Sequence, residues 1–434
     1  MHFGPAENSR AQASEADDEA EDRPRSSATL AAPKPKVSEK NASSATMETV
    51  AMRLRKAFES VASNKGAPGP DRQSVDEVRA PLDEVMVELE TSLMKGSYKP
   101  GEIRRVWIAK SGGGERGLGI PNVIDRVVQE AVRQVLEPIY EPTFHKSSHG
   151  FRPGRSCHTA IAEAKAAVVM PDGVRVSTEE GVPQGGPLSP LLSNIVLDEL
   201  DTELGRRGHR FVRYADDCNI YVRSQRAGQR VMASVVDFIE RRLRLKVNVA
   251  KSAIARPEER HFVGFRFQCD ALSGEVEGLL SKRSEDRIEA RIREMTPRNW
   301  GRSLQACILQ LNDYLVGWLG FFGVCTTGAE RTFQRLDAHI RRRLRAIHLA
   351  HWKSKSGIRR KLIQLGTQAT TAWRSVYQGR KSLWKLSHSP AVERALRNAY
   401  FAERGLVSLK ERWRLSHENI VAPKQLTLSL GESC

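Results

Sequence analysis

The chain has 434 residues, 40% of them hydrophobic, with 69 Lys and Arg against 52 Asp and Glu. That length predicts two or three domains, and that apolar fraction can fill their cores, so a wholly disordered chain is excluded. No run of about 18 apolar residues occurs to span a membrane, and the first residues lack the basic-then-apolar order of a secretory signal. Cys157, Cys218, Cys269, Cys307, Cys325 and Cys434 are scattered, without a Cys-x-x-Cys pair. Such spacing argues against a structural zinc or a disulfide frame and predicts a reducing, cytoplasmic setting.

The charge is unevenly divided. Residues 1–46 carry a net −2, residues 47–280 a net +2, and residues 281–434, with 29 basic and 12 acidic side chains, a net +17. The whole excess lies in the last third, which is the electrostatic footprint of a polyphosphate partner; an anionic membrane surface is the weaker option.

In chain order, residues 1–46 are rich in Ala, Ser, Glu and Asp without apolar period and read as a disordered tail. A helical pattern begins at Met47 and stops at the run Gly66–Pro70, and a second amphipathic helix covers about Pro81–Lys95. Two short strands, Ile103–Ala109 and Gly117–Ile120, flank a glycine turn, and a long helix spans Asp125–Leu136. A helix over about Thr159–Val168 precedes a hairpin arm with its turn at Asp172-Gly173. A helix over Pro190 to about Leu204, strand–turn–strand around Phe211–Val222, a helix over Gln229–Leu243 and a strand over His261–Phe267 follow. Beyond Lys282 the pattern is nearly all helical. There Phe333, Leu336, Ile340, Leu344 and Ile347 recur at three and four residues, with Arg341, Arg342, Arg343 and Arg345 between them.

Chemistry concentrates at Tyr214-Ala215-Asp216-Asp217, two acids at a tight turn between apolar strands. Phosphoryl transfer by two divalent ions about 3.5–4 Å apart needs carboxylates held rigidly at one point, and few suffice because Mg²⁺ keeps its waters. An ordinary hairpin with Asp-Asp in its turn would look the same in isolation. The run GVPQGGPLSPLLSN (Gly181–Asn194) lies shortly before it, where Gly-rich backbone ahead of a helix start permits close approach to a nucleotide. Further upstream stand Ile108-Ala109-Lys110, Arg116–Pro121, Asp125-Arg126 and HGFRPGRSCHTAI (His149–Ile161).

Taken in order over residues 50–415, these motifs resemble those of the group II intron-encoded reverse transcriptase/maturase family. The resemblance implies an α+β right-hand polymerase of fingers and palm, followed by an all-α, basic thumb/maturase region. It assigns residues 47–165 to fingers and the start of the palm, 166–280 to the rest of the palm, 281–415 to the thumb/maturase region and 416–434 to a tail. It implies that Lys110, Arg116 and Gln184 border the incoming nucleotide, that Asp216 and Asp217 hold Mg²⁺, and that Lys251 lies near the leaving pyrophosphate. The strand HFVGF resembles a primer grip. Arg341, Arg342, Arg343, Arg345, Lys353, Arg359, Arg360 and Lys361 would grip RNA, and Tyr314, Trp318, Trp352 and Trp373 could stack on bases or simply fill the core. Partners implied are intron RNA, an RNA/DNA primer-template and deoxynucleoside triphosphates, with no membrane.

The pattern breaks in one place. The family carries another metal-binding Asp on a palm strand between GFRPGRS and GVPQGGPLSP, yet Gly150 and Gly181 are only 31 positions apart here. The sequence reads as though several dozen residues were excised at Val168–Val169, and Asp172, the sole Asp of the interval, falls in an expected turn. Two expectations follow: an incomplete palm with unpaired neighbouring strands, and impaired polymerisation. Arg72-Gln73 replaces a turn where the family favours Gly, and no nuclease-like His/Asn/Cys cluster follows the helical region. The competing readings are an RNA-directed DNA polymerase, a non-catalytic splicing helper that binds intron RNA, and an inactive deleted relic.

Overall fold

A computed structural model describes residues 45–109, 114–168, 172–176, 185–249, 252–270, 274–297, 299–378 and 382–421. The tail expected over 1–46 lies almost wholly outside these residues, as do Lys110, Gln184 and Lys251. The fold is α+β.

The first unit is a helical cluster. Thr46 and Ser74 open the helices Met47–Ala51 and Val75–Arg79 with reciprocal capping boxes. Phe58 and Val61 of Leu54–Ser63, Met86 and Leu89 of Leu82–Met94, and Val127 and Ala131 of Val123–Tyr140 share one core. The last helix is longer at both ends than the apolar pattern predicts, and Pro138 sits in its final turn. Asp125 accepts from the Tyr98 hydroxyl and from the Gly101 amide, while Arg126 donates to the Ala67 carbonyl at 2.9 Å, so this acid–base pair braces the loops. Arg72 stands at φ 61°, a left-handed position that costs a residue with a Cβ about 1 kcal/mol. Strands β1 (Arg104–Ala109) and β2 (Glu115–Ile120) form an antiparallel hairpin.

The central sheet contradicts the expectation of unpaired neighbouring strands. It contains β3 (Asp172–Val176), β4 (Arg210–Tyr214), β5 (Asp217–Val222) and β6 (Ala253–Ala255) in the order β4-β5-β3-β6, all pairs antiparallel. β3 lies between β5 and β6, so neither neighbour faces an empty slot. Asp172 and Gly173, expected in a turn, pair with Val222 and Tyr221 inside the strand. The local turn signal loses because β5 and β6 offer backbone partners on both sides, and pairing a whole strand outweighs one Asp-Gly preference.

The strand expected over His261–Phe267 starts only at β7 (Phe265–Cys269), which pairs with β8 (Val276–Leu280). Val263 and Gly264, at φ 50° and 88°, form a tight turn ahead of it. Ile161 and Ala164 of Cys157–Ala167, Phe265 and Leu280 of this hairpin, and Ile288, Leu315, Phe333 and Leu344 of the later helices form one continuous core. A boundary at 280 therefore cuts through packed residues rather than between units. The boundary at 415 is likewise crossed, because the helix Leu409–Val421 runs through it. Asp337 fixes the start of that helix, accepting from the Leu409 and Lys410 amides and the Ser408 hydroxyl. No helix among the described residues is long and apolar enough to cross a membrane.

His348, inside this helical core, predicts a pH effect. Burial, then the nearby His351 and Arg404 charges, lowers its pKa to about 4, below the ordinary value of 6.5. The unfolded chain thus binds a proton that the folded chain refuses between those values. Stability attributable to His348 is intact above pH 6.5 and falls as pH drops toward 4, by at most about 1.4 kcal/mol per pH unit. Urea unfolding at pH 7 and pH 5 should show a smaller loss for His348→Gln than for the native chain; equal losses would contradict this.

Candidate active site and nucleic-acid interface

The residues joining β4 to β5 set the site. Tyr214 pairs with Asp217, so Ala215 and Asp216 make a two-residue turn, and Ala215 takes φ 55°. That is glycine territory held by an alanine, a strain of order 1 kcal/mol that persists only when surrounding contacts over-determine the turn. Asp216 is exposed at its tip and Asp217 is half-buried.

The over-determination comes from Arg213, whose side chain is 1% exposed. Its Nε and one Nη grip Asp201 at 2.8 and 2.6 Å, and the same Nη donates to the Ser148 hydroxyl at 2.7 Å. The other Nη donates to Asn194 Oδ1 at 2.9 Å and to the Ala215 carbonyl at 2.8 Å. All five guanidinium N–H groups are thus used, one of them on the turn itself. Burial opposes the Arg213 charge, but Asp201, fully buried, more than offsets this and raises its pKa. Asn194 in turn donates to the Gly150 carbonyl at 2.8 Å.

Gly150 explains the HGFRPGRS motif. A Cβ there would lie 2.3 Å from the Ala215 nitrogen, so only glycine lets this segment seat against the turn. The His149 amide donates to the Arg213 carbonyl and the Arg213 amide to the Ser147 carbonyl, both at 2.9 Å, adding the segment alongside β4. Arg152 is buried and spends itself on Glu141 and on the His145 and Ser148 carbonyls. Phe151 is left outside at φ 55°, its ring 6.3 Å from that of Tyr214. Burial, then a hydrogen bond to Cys157, pushes the Tyr214 hydroxyl up to about 12. Gly185, at φ 136°, seats the glycine-rich run against β2: a Cβ would meet the Gly119 carbonyl oxygen at 2.0 Å. Arg116, exposed and opposite Ile108, belongs to that same strand.

Sequence reasoning named Asp216, Asp217 and Arg116 but missed Arg213, Asp201 and Asn194. A signal existed: Arg213 shares the inward alternation of Phe211 in β4, where a charge must be paired.

The donor set for a metal is incomplete among the described residues, where no group of three His, Cys, Asp or Glu side chains could hold an ion. The backbone of Asp172 pairs with Val222, at the end of β5 opposite to Asp217. A two-metal site therefore does not close on the residues described.

The expected basic face on the helix Glu330–His351 requires correction. Arg345 is buried and donates to the Leu396 carbonyl at 3.0 Å, and Arg343 donates to Thr296 Oγ1 at 2.9 Å and to the Arg293 carbonyl at 3.1 Å. Arg342 lies 4.1 Å over the Trp384 ring, and burial lowers the pKa of Arg341. Helical packing on more than one side recruits these cations into the fold, so they cannot all serve an external polyanion. Lys353 and, on the helix Lys355–Gln364, Arg359, Arg360 and Lys361 are exposed. Of the aromatics, Trp318 packs on Phe322 and Phe333, and Trp352 on His348; Trp373 stays exposed.

Residues 170–267, which include the acid turn, match the family model described as reverse transcriptase (RNA-dependent DNA polymerase). Residues 286–365 match the maturase-specific domain of group II introns. The two matches follow one another along the chain, which in these stretches is similar to group II intron reverse transcriptases/maturases. Protein YkfC of Escherichia coli K12 is 28% identical over 57% of this chain and 86% of its own length. The group II intron-encoded protein LtrA of Lactococcus lactis is 35% identical over 33% of this chain, which spans only 32% of LtrA. A partial Cas6-RT-Cas1–Cas2 complex aligns with a TM-score of 0.26 and 19% identity, over 45% of this chain and 42% of that one. Reverse transcriptases as a family use divalent metal ions.

Proposed function

We propose that this chain binds intron RNA as a splicing helper, and that its polymerase centre, braced but short of one carboxylate, synthesises DNA poorly or not at all. The observation that carries the reading is the contrast between two sites. Among the described residues the acid turn offers Asp216 and Asp217 without a third carboxylate, whereas Lys353, Arg359, Arg360 and Lys361 stay exposed in a region of net +17. Phosphoryl transfer by two ions depends on carboxylates that stabilise both the attacking and leaving oxygens, so loss of one weakens the chemistry directly. RNA binding rests largely on phosphate contacts, which do not involve that carboxylate.

Within this reading residues 47–165 act as fingers, the sheet as palm, and the helices from 282 as thumb/maturase region, although the shared core makes palm and thumb one packed body. Asp216 and Asp217 would hold Mg²⁺; Arg116, Lys110 and Gln184 would meet a deoxynucleoside triphosphate, and Lys251 its pyrophosphate. The test is titration of a fluorescent structured intron RNA at 50–200 mM salt, of order the range where phosphate contacts report themselves. Affinity that falls steeply with salt and is unchanged in Asp216→Asn is expected. RNA binding that is undetectable, or that needs Asp216, would overturn the reading.

A further inference from the structure

Trp373 and Tyr377 are 44% and 41% exposed, with ring centroids 5.8 Å apart and planes 34° apart. They lie four residues apart on one side of the stretch Ala369–Gln378, while Ala372 and Val376, also four apart, are buried on the next side. The register thus places two aliphatic residues inside and leaves two large aromatics in water, the reverse of the hydrophobic order. The backbone at this point, Arg374–Gln378, is a π-helical turn, a geometry that recurs at functional sites. Lys355 Nζ lies 5.9 Å from the Tyr377 ring centroid. Arg359 follows Lys355 by one turn on the same face of an exposed basic helix, with Arg360 and Lys361 beside it.

Aromatic faces beside a cationic track are the chemistry of an unpaired nucleobase: phosphates meet the cations and a base lies on the ring, whatever its identity. We infer that Trp373 and Tyr377 form a stacking platform for an unpaired base in a loop or bulge of the bound RNA. This rests on the RNA-binding reading above and adds to it the strandedness of the RNA recognised. A fully paired helix keeps its bases stacked on one another and offers nothing to the platform.

The experiment compares two fluorescent RNAs of equal length, a hairpin with an unpaired loop and a blunt duplex, on the full chain. Native protein is expected to favour the hairpin. Trp373→Ala should weaken hairpin binding by roughly tenfold, the worth of about one base–aromatic stack, and leave duplex binding unchanged. Its salt slope should match the native chain, because stacking releases no counterions. Trp373→Phe should restore most of the affinity, and an unaltered thermal midpoint in both variants would show that folding is not the cause. Equal weakening on both RNAs, an altered salt slope, or a Trp373→Ala variant that binds RNA normally while losing self-association would overturn the platform and leave RNA binding standing. Failure of the native chain to bind either RNA would instead remove the RNA-binding reading and the platform with it.

Discussion

Arg213→Leu should lower unfolding stability by about 3–5 kcal/mol, the cost of leaving one member of a buried ion pair without its partner. The stranded member is Asp201, which is fully buried. Asn194, Ser148 and the Ala215 carbonyl lose a donor in the same substitution. Against a typical domain stability of about 5–15 kcal/mol this is a large share. Arg213→Lys should recover little, since an ammonium has three donors and no planar fork to span Asp201 and the turn together. Urea midpoints at constant slope measure the effect, and a loss below about 1 kcal/mol would show that the network does not hold the turn.

Combined neutralisation of Arg359, Arg360 and Lys361 to Ala should flatten the salt dependence of RNA binding. Each phosphate contact contributes about 0.7–0.9 to the slope of log affinity against log salt, so three contacts remove roughly 2–3. Because these side chains are exposed, the fold should be untouched. Arg345→Ala is the contrasting case: its guanidinium donates to the Leu396 carbonyl and lies 3.6 Å from Glu393, so the loss should appear in stability and not in salt slope. A triple variant with the native slope would move the RNA surface elsewhere on the chain.

The difference between those two sets of cations also marks what could be read beforehand. Charge counting located the basic third, and the apolar period of Phe333, Leu336, Ile340 and Leu344 identified the helix that carries Arg341–Arg343 and Arg345. Which arginines turn inward depends on neighbours more than 45 residues away, such as Leu396 and Thr296, and no local pattern encodes that. The acid turn was legible because Asp216-Asp217 sits between two apolar strands. The partners of Arg213 were not, since it meets Asp201 and Ser148 only once the fold brings three segments together. The start of β3 escaped for a related reason: Asp172-Gly173 is a strong local turn signal, and only pairing with the neighbouring strands makes it strand.

Primer extension on an RNA template with Mg²⁺, run beside an Asp216→Asn control and with RNA binding measured on the same preparations, tests the central claim most directly. Two carboxylates and an intact basic face predict RNA bound equally by both proteins and no extension by either above background. Extension by the native chain that disappears in Asp216→Asn would mean that a further carboxylate completes the centre, and the chain would then be a working polymerase.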